Sequence, residues 1–437
     1  MSKPHYLLIL TYLFFSLESF SQDFISNQEQ PLPTPISNNA VTGGLLNGIP
    51  HLYSFTGIDS LKNFRGIGLK AFRYNTSTQI WDTIPDVPDN RGKVAAGAST
   101  IDSIIYIMGG YHVDNRGNEV SSNKNHRYNI NTNSYLSDGA VIPVAIDDHV
   151  QAVWKDSLIF LVTGWSNTGN VPNVQIYNPT TNTWTAGTST PNTHSYKSFG
   201  ASGTIVGNTI YYFGGASGAS GFNCQNILRV GEIDPSNPIN ITWSDSIIDP
   251  TLFCYRAACV STSTGINWLG GSAITYNYNG IAYNGTGGVP ATNQNIYYNP
   301  SDSTLNNKYI YGDSLPMDIR GVADFGNTKY IVGGMVGNQQ VTNKVWKLSF
   351  QPVGIEQLEV NKFSCFPNPT NDLLTLSFEN KGVKKIRIIN NLGQTVLETI
   401  SLKQEKVVSL SRLQKGMYFI SVVFENDKNL IKKIIVN

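Results

Sequence analysis

Ile104-Ile105-Tyr106-Ile107-Met108-Gly109-Gly110 and Ile210-Tyr211-Tyr212-Phe213-Gly214-Gly215 are two copies of one pattern, a short apolar run closed by paired glycine. Asn267-Trp268-Leu269-Gly270-Gly271 and Tyr330-Ile331-Val332-Gly333-Gly334 repeat it, while Thr56-Gly57 and Thr163-Gly164 keep one glycine of the pair. Continuous apolar runs of this length read as strands buried on both faces. The glycines fit points where the chain takes positive φ or passes close to another backbone.

Outward from each run the same elements recur. Upstream lie a Pro-containing loop (Pro85 and Pro88, Pro143, Pro191, Pro250, Pro316), a strand of small and branched residues such as 93–100 or 200–206, and a tight polar turn, Asp102-Ser103 or Gly207-Asn208. Downstream come Tyr74-Asn75…Thr78…Trp81, Tyr128-Asn129…Thr132…Tyr135 and Tyr177-Asn178…Thr181…Trp184. A period near ~50 residues marks a repeat architecture. Asparagine after the tyrosine makes the turn, because its side chain bonds its own backbone. The two aromatics per unit are read as packing between adjacent sheets, with no cofactor role.

The glycine pair, the following Tyr and the aromatic seven residues later resemble the Kelch repeat, whose units form four-stranded blades of a β-propeller. The resemblance covers roughly residues 22–350 and implies an all-β, six-bladed Kelch-type propeller, with seven blades as the rival count. The fifth unit departs from the pattern by an insertion at 273–294. The sixth is one strand short, so the segment 22–27 is expected to supply its outer strand and close the ring, leaving no open sheet edge.

Both ends of the chain carry signals. Lys3 followed by the apolar run Tyr6 to Phe15 and Ser19-Phe20-Ser21 reads as a signal peptide over 1–21, too short to span a bilayer. No other stretch is long and apolar enough to cross a membrane. After a linker at 351–361, residues 362–437 alternate apolar and polar in short segments, as expected of a small antiparallel sandwich of immunoglobulin-like kind. Charge separates the parts: this tail holds 12 Lys/Arg against 6 Asp/Glu, the preceding chain 19 against 24. The overall net charge of +1 gives no reason to invoke nucleic acid. Pro367-Asn368-Pro369, the turn with Gly393, the segment with Gly416 and Tyr418, and Lys432-Lys433 closely resemble the C-terminal sorting domain of type IX secretion in Bacteroidota. That resemblance implies export across the outer membrane, through the type IX machinery, to the surface or the medium.

For chemistry the sequence offers less. Arg91, His149, Lys197, Arg256 and Arg320 fall near the start of the first strand in successive units. By the Kelch resemblance they would ring one mouth and favour an anionic ligand, an acidic sugar or a carboxylate-bearing peptide. His112 and His126 share a polar loop without metal-ligand spacing, so no metal or other cofactor is expected. Cys224 could bridge to Cys254 or Cys259 in an exported chain, or all could be free thiols. Seven Asp-Ser/Thr pairs, such as Asp82-Thr83-Ile84 and Asp156-Ser157-Leu158, resemble an O-glycosylation acceptor of exported proteins, although Asp-Ser also makes a good turn. The expected role is ligand binding, glycan or protein recognition. The alternative is an enzyme like the sialic-acid epimerases and mutarotases, with Glu119, Glu232 and Asp324 as conceivable acid/base groups.

Overall fold

The computed structural model describes residues 24–244, 247–350, 363–378, 383–401, 405–424 and 429–437. The expected signal peptide at 1–21, the expected linker at 351–361 and Ser246 of one Asp-Ser pair lie outside them. The chain divides into two compact units, residues 1–353 and 354–437.

The first unit is a succession of mainly antiparallel sheets of four or five strands, with two small two-stranded ones beside them. Each apolar run is a second strand, paired on one side with the preceding strand and on the other with a third, which ends in Tyr-Asn in four units and is Ile227–Ile233 or Val345–Phe350 in the other two. In the third sheet, Leu158–Val162 lies between Val150–Trp154 and Val174–Asn178, and Thr183–Gly187 completes it. The sheets follow in chain order from Ala40–Leu46, Val94–Ile101, Val150–Trp154, Ser202–Val206, Ala258–Ser261 and Ala323–Phe325. The first five of these strands pack side by side in succession; Ala258–Ser261 then meets Arg320–Gly321, just ahead of Ala323–Phe325, which packs against Ala40–Leu46. The sixth sheet takes its fourth strand from the other end of the unit: Phe24–Gln28 runs antiparallel to Val345–Phe350, with Phe24 opposite Phe350.

The glycines act between sheets. Gly214 and Gly215 have φ of 70° and 80°, and a Cβ on Gly214 would lie 2.0 Å from the Cys254 carbonyl oxygen of the next unit. That same carbonyl accepts from the Gly215 N–H at 2.7 Å. Where one glycine is missing, Thr56 and Thr163 hold the left-handed position at φ 58° and 49°. The Thr163 hydroxyl then accepts from Ser198 N–H of the following unit.

The tyrosine-asparagine pattern is packing. Trp184 sits 5.0 Å from Tyr177, Tyr177 meets Tyr106 of the neighbouring sheet at 5.7 Å, and the Trp184 indole donates to the Ala140 carbonyl. Asn178 Oδ1 accepts from Thr180 and Thr181 N–H, which is the turn its position foretells. The four cysteines are free thiols. Of the Asp-Ser/Thr hydroxyls, those of Ser60, Thr83, Ser157, Ser303 and Ser314 belong to exposed residues and Ser103 to a half-buried one.

In the second unit, Phe363–Phe366, Leu373–Phe378 and Glu405–Ser409 form one sheet; Thr395–Ser401, Val383–Asn390, Gly416–Phe424 and Asn429–Val436 form another. Both contribute to one core, including Leu376, Ile388, Ile420 and Ile434. The sequence motif residues hold its edges. Asn368, between Pro367 and Pro369, donates to the Lys433 carbonyl and accepts from Ile435 N–H, both at 2.9 Å. Gly393, at φ 81°, closes the turn by donating to the Asn390 carbonyl. Gly416 pairs with Val436, and the Tyr418 hydroxyl donates to the Gln414 carbonyl.

Candidate functional site

At or just ahead of the start of the six first strands lie Asn38, Ala95, Asp148, Gly200, Arg256 and Asp318, all at positive φ between 47° and 66°. They are linked head to tail. Asp148 N–H donates to Ala95, Gly200 to Asp148, Arg256 to Gly200, Ile319 to Arg256 and Asn38 to Asp318, each to a backbone carbonyl at 2.8–3.1 Å. Ala95 N–H completes the circle at 2.7 Å on the side-chain oxygen of Asn38. Nothing in the apolar pattern announces this circle, because its members share a backbone conformation rather than a residue type.

At its centre Arg256 is fully buried. Its Nε and Nη2 reach Asp148 Oδ1 and Oδ2 at 3.0 and 2.5 Å, and its Nη1 reaches Asp318 Oδ1 at 3.0 Å. Asp318 also accepts from Ser37 Oγ at 2.6 Å and Asn38 Nδ2 at 2.9 Å. Burial penalises the Arg256 charge most, but Asp148, Tyr255, Asp318 and Tyr111 together outweigh it and hold its pKa well above the ordinary value. Burial raises Asp318, and raises Asp147 further with the help of neighbouring Asp148. The rings of Tyr255 and Tyr276 cover the guanidinium, with centroids 5.1 and 5.5 Å from its carbon.

This end of the ring is sealed. Tyr276 and Tyr283, from the insertion at 273–294, pack with Tyr111, Phe199 and Tyr255 over the knot, and Trp165 and Phe222 flank them. Asn277 Nδ2 ties the insertion to Glu119 at 3.0 Å, and Thr275 Oγ1 donates to the Phe222 carbonyl. Glu119 itself is exposed at the edge of this cover, where desolvation by its neighbours raises its carboxyl.

The other end is open. A cavity of about 330 Å³ runs along the inner faces of the first strands, lined by Thr42, Thr100, Gln151, Ser202, Thr204 and Ser261 among small residues. His149 and Arg320 also line it and are buried, whereas Ser202, Thr204 and Ser261 remain partly exposed. Arg320 Nη2 donates to the His149 carbonyl at 2.8 Å, and its Nη1 stands 3.6 Å from Asp148 Oδ1. Its Nε has no hydrogen-bond partner among the described residues, nor has His149 Nδ1. Burial, reinforced by Arg320, lowers the imidazole pKa to about 4.

Of the five expected basic residues, then, the structure gathers His149, Arg256 and Arg320 around Asp148 and leaves two apart. Arg91 is exposed in the loop before its strand, where the buried position falls instead to Lys93, bonded to Asp89 at 2.6 Å. Lys197 is half-buried, three residues ahead of Gly200 in the circle. Arg256 is turned inward onto carboxylates, not outward to a mouth. The candidate acids are scattered: Glu119 at the sealed end, Glu232 exposed on Ile227–Ile233, Asp324 on the channel wall against Lys329 Nζ. His112 and His126 are structural. His112 Nδ1 bonds the Gly92 carbonyl, and His126 bridges Asp138 at 2.8 Å and Asp89 at 3.2 Å. No group that could hold a metal ion occurs among the described residues.

Residues 364–437 match the family model described as secretion system C-terminal sorting domain. The chain is 30% identical over 93 residues to ulvan lyase NLR42 of Nonlabens ulvanivorans, a stretch that is 21% of this chain and 17% of that protein. The chain thus spans about a sixth of the relative's length. Among solved structures, the one titled "Structure of YjhT" aligns with a TM-score of 0.57 at 15% identity, covering 72% of this chain and 95% of that one. That likeness gives the first unit a β-propeller-like fold. The chain therefore joins a β-propeller-like unit to a secretion-system C-terminal sorting domain, the mark of proteins exported by type IX secretion to the cell surface or outside.

Proposed function

We propose that this chain is a surface-displayed or secreted recognition module: a six-bladed Kelch-type propeller that binds a small polar ligand, free or at the end of a glycan, in its axial channel. The signal peptide at 1–21 and an immunoglobulin-like sandwich over 362–437, recognised by the type IX machinery, would bring it there. The observation that carries this reading is the hydroxyl-lined cavity of about 330 Å³, opposite an end closed by aromatic packing. A concave site with a few convergent polar groups is the ordinary form of a small-molecule site. The test is glycan-array binding by the secreted chain beside Ser202→Trp and Thr204→Trp, which fill the channel from its wall. Binding by the parent and its loss in both variants is the expected result. Array binding indifferent to the plugs would end the channel reading.

One observation favours an enzyme of the sialic-acid epimerase or mutarotase type: Arg320 and Asp324 line the same channel. An acid/base pair beside a sugar site is what such chemistry needs. The Asp324 carboxylate is held by Lys329 at 2.5 Å, which ties up the group that would move a proton. Proton NMR of sialic acid anomers with the secreted chain reads this directly; equilibration faster than the buffer rate would favour catalysis over recognition.

A further inference from the structure

The four-stranded sheet of the second unit carries apolar side chains on the face where a half-buried sheet ordinarily carries polar ones. Along Gly416–Phe424, Tyr418, Ile420, Val422 and Phe424 turn into the core, so Met417 and Phe419 turn away from it. On Asn429–Val436 the core takes Ile434 and Val436, which leaves Ile431, Lys433 and Ile435 outward. The register joins these residues into one patch. Met417 lies opposite Ile435, Phe419 lies opposite Lys433, and Ile389 lies opposite Phe419 from the other side. Met417, Ile431 and Ile435 are 45%, 58% and 38% exposed.

Charge distinguishes this face from its counterpart across the core. Lys385 and Arg387, opposite Val423 and Ser421, share the face with Lys433. Glu398 answers the first two, at 3.1 and 3.8 Å, and the sum stays cationic. The three-stranded sheet also exposes Phe366, Leu373 and Val407, but sets them beside Thr375 and Ser409. The charges on that side are carboxylates: Glu405 opposite Ser377, and Asp372 accepting from Ser409 Oγ at 2.8 Å.

The pairing of exposed apolar side chains with cations fits an anionic bilayer, which receives the former among its headgroups and attracts the latter. A lysine stem lies along apolar surface with its charge at the tip, as Lys433 can beside Phe419. Protein–protein interfaces are built otherwise, with lysine depleted and Tyr or Trp enriched at the centre. Here Lys433 holds the centre, between Ile431 and Ile435. We propose that this face docks the sorting unit on an anionic lipid surface, Met417, Ile431 and Ile435 entering the headgroup layer and Lys433 and Arg387 meeting lipid phosphates.

The experiment is vesicle co-sedimentation of the chain from residue 22 onward, which leaves out the apolar run at 6–15 that would bind lipid by itself. Vesicles of phosphatidylcholine alone are compared with vesicles of phosphatidylcholine and phosphatidylglycerol in equal parts. Binding ~10-fold or more tighter to the anionic vesicles is expected, and it should weaken as salt rises. Ile431→Ser combined with Ile435→Ser should weaken it by ~10-fold and Lys433→Gln by ~5-fold. Val407→Ser, on the opposite face, should change nothing. No preference for the anionic vesicles would overturn the inference and leave the face to a protein partner. Anionic binding indifferent to the double serine substitution would overturn it too, since net charge alone, or another face, would then hold the lipid. The vesicle comparison on the parent chain and the effect of Lys433→Gln stand even if the double variant does not fold.

Discussion

The two ends of the ring treat charge in opposite ways. At the sealed end Arg256 meets two carboxylates, Asp318 gathers three donors, and aromatic rings cover the whole. Along the channel the wall is mostly small and neutral, and Arg320 and His149 each keep one polar atom without a protein partner. A complete buried network fixes the fold, because any single deletion strands its neighbours. Incompleteness is not confined to the channel, since the buried Tyr255 and Tyr276 hydroxyls of the cover also lack a partner among the described residues. The identity of a basic residue therefore says little about its use; what matters is whether the fold has already answered its charge.

The comparison breaks most readily at Arg256. Arg256→Ala leaves Asp148 and Asp318 buried with their main counter-charge gone, and removing one partner of a buried ion pair costs ~3–5 kcal/mol. Urea denaturation followed by tryptophan fluorescence should show that loss, while Arg91→Ala at an exposed loop position should stay within about 0.5 kcal/mol. Equal effects of the two would erase the distinction between the knot and the surface. Next in size is Gly214→Ala. Its φ of 70° and the Cys254 oxygen 2.0 Å from the new Cβ call for both strain and displacement at a sheet boundary. A loss of ~2–3 kcal/mol is expected, against ~1 kcal/mol for Gly207→Ala, where φ is 61° and nothing lies within 4 Å.

At the channel end the corresponding lever is pH. A free histidine takes up its proton near ~6.5, whereas His149 in the folded chain resists until about 4, chiefly because of burial. Between those values the unfolded chain binds a proton that the folded chain does not. The stability linked to His149 is thus present above ~6.5 and lost as pH falls toward 4, by about 2 kcal/mol between pH 7 and 5. Asp147 and Asp318 act with the opposite sign: their raised carboxyls stabilise in acid, and that contribution is lost as pH rises through their folded pKa values. The clean measurement is the difference between the parent and His149→Gln, in which the carboxylates cancel. A difference that does not change from pH 7 to 5 would mean that His149 is not held neutral by the fold.

How much of this was legible follows from what the repeats encode. The glycine-ended runs and the Tyr-Asn turns are local patterns with local causes, so the four-stranded units and the donated N-terminal strand could be read from residue types. The circle could not be read that way. Asn38, Ala95, Asp148, Gly200, Arg256 and Asp318 have no chemistry in common, and aligning units by their basic residues slips the register by one at His149, two at Arg320, three at Lys197 and four at Arg91. Counting back from the glycines would have kept it: Ala95 precedes Gly109 by 14 residues, Gly200 precedes Gly214 by 14, and Arg256 precedes Gly270 by 14. The partners of Arg256 were hidden for another reason. Asp148 is 108 residues away and Asp318 is 62, a proximity that no local pattern of residues announces.

The smallest expected effect concerns what does the sealing. Asn277 Nδ2 donates to Glu119 Oε1 at the rim, but Tyr276 and Tyr283 carry the buried area of the insertion, with Tyr276 fully buried and 5.1 Å from Tyr255. A hydrogen bond with an exposed partner contributes ~0.5–1 kcal/mol at most, while truncating a buried aromatic costs several times that. Asn277→Ala should therefore leave the global unfolding midpoint almost unchanged. Amide exchange should still quicken within 277–289, where the turns bond mainly to one another, as from Asn277 to Ile281 and from Ala282 to Gly287. If exchange also quickened at Gly200 and Arg256, whose N–H groups belong to the circle, the cover and the knot would be one cooperative unit. Exchange confined to the insertion would show two layers, a rigid ring and a separately held cap, at the end where charge is already balanced.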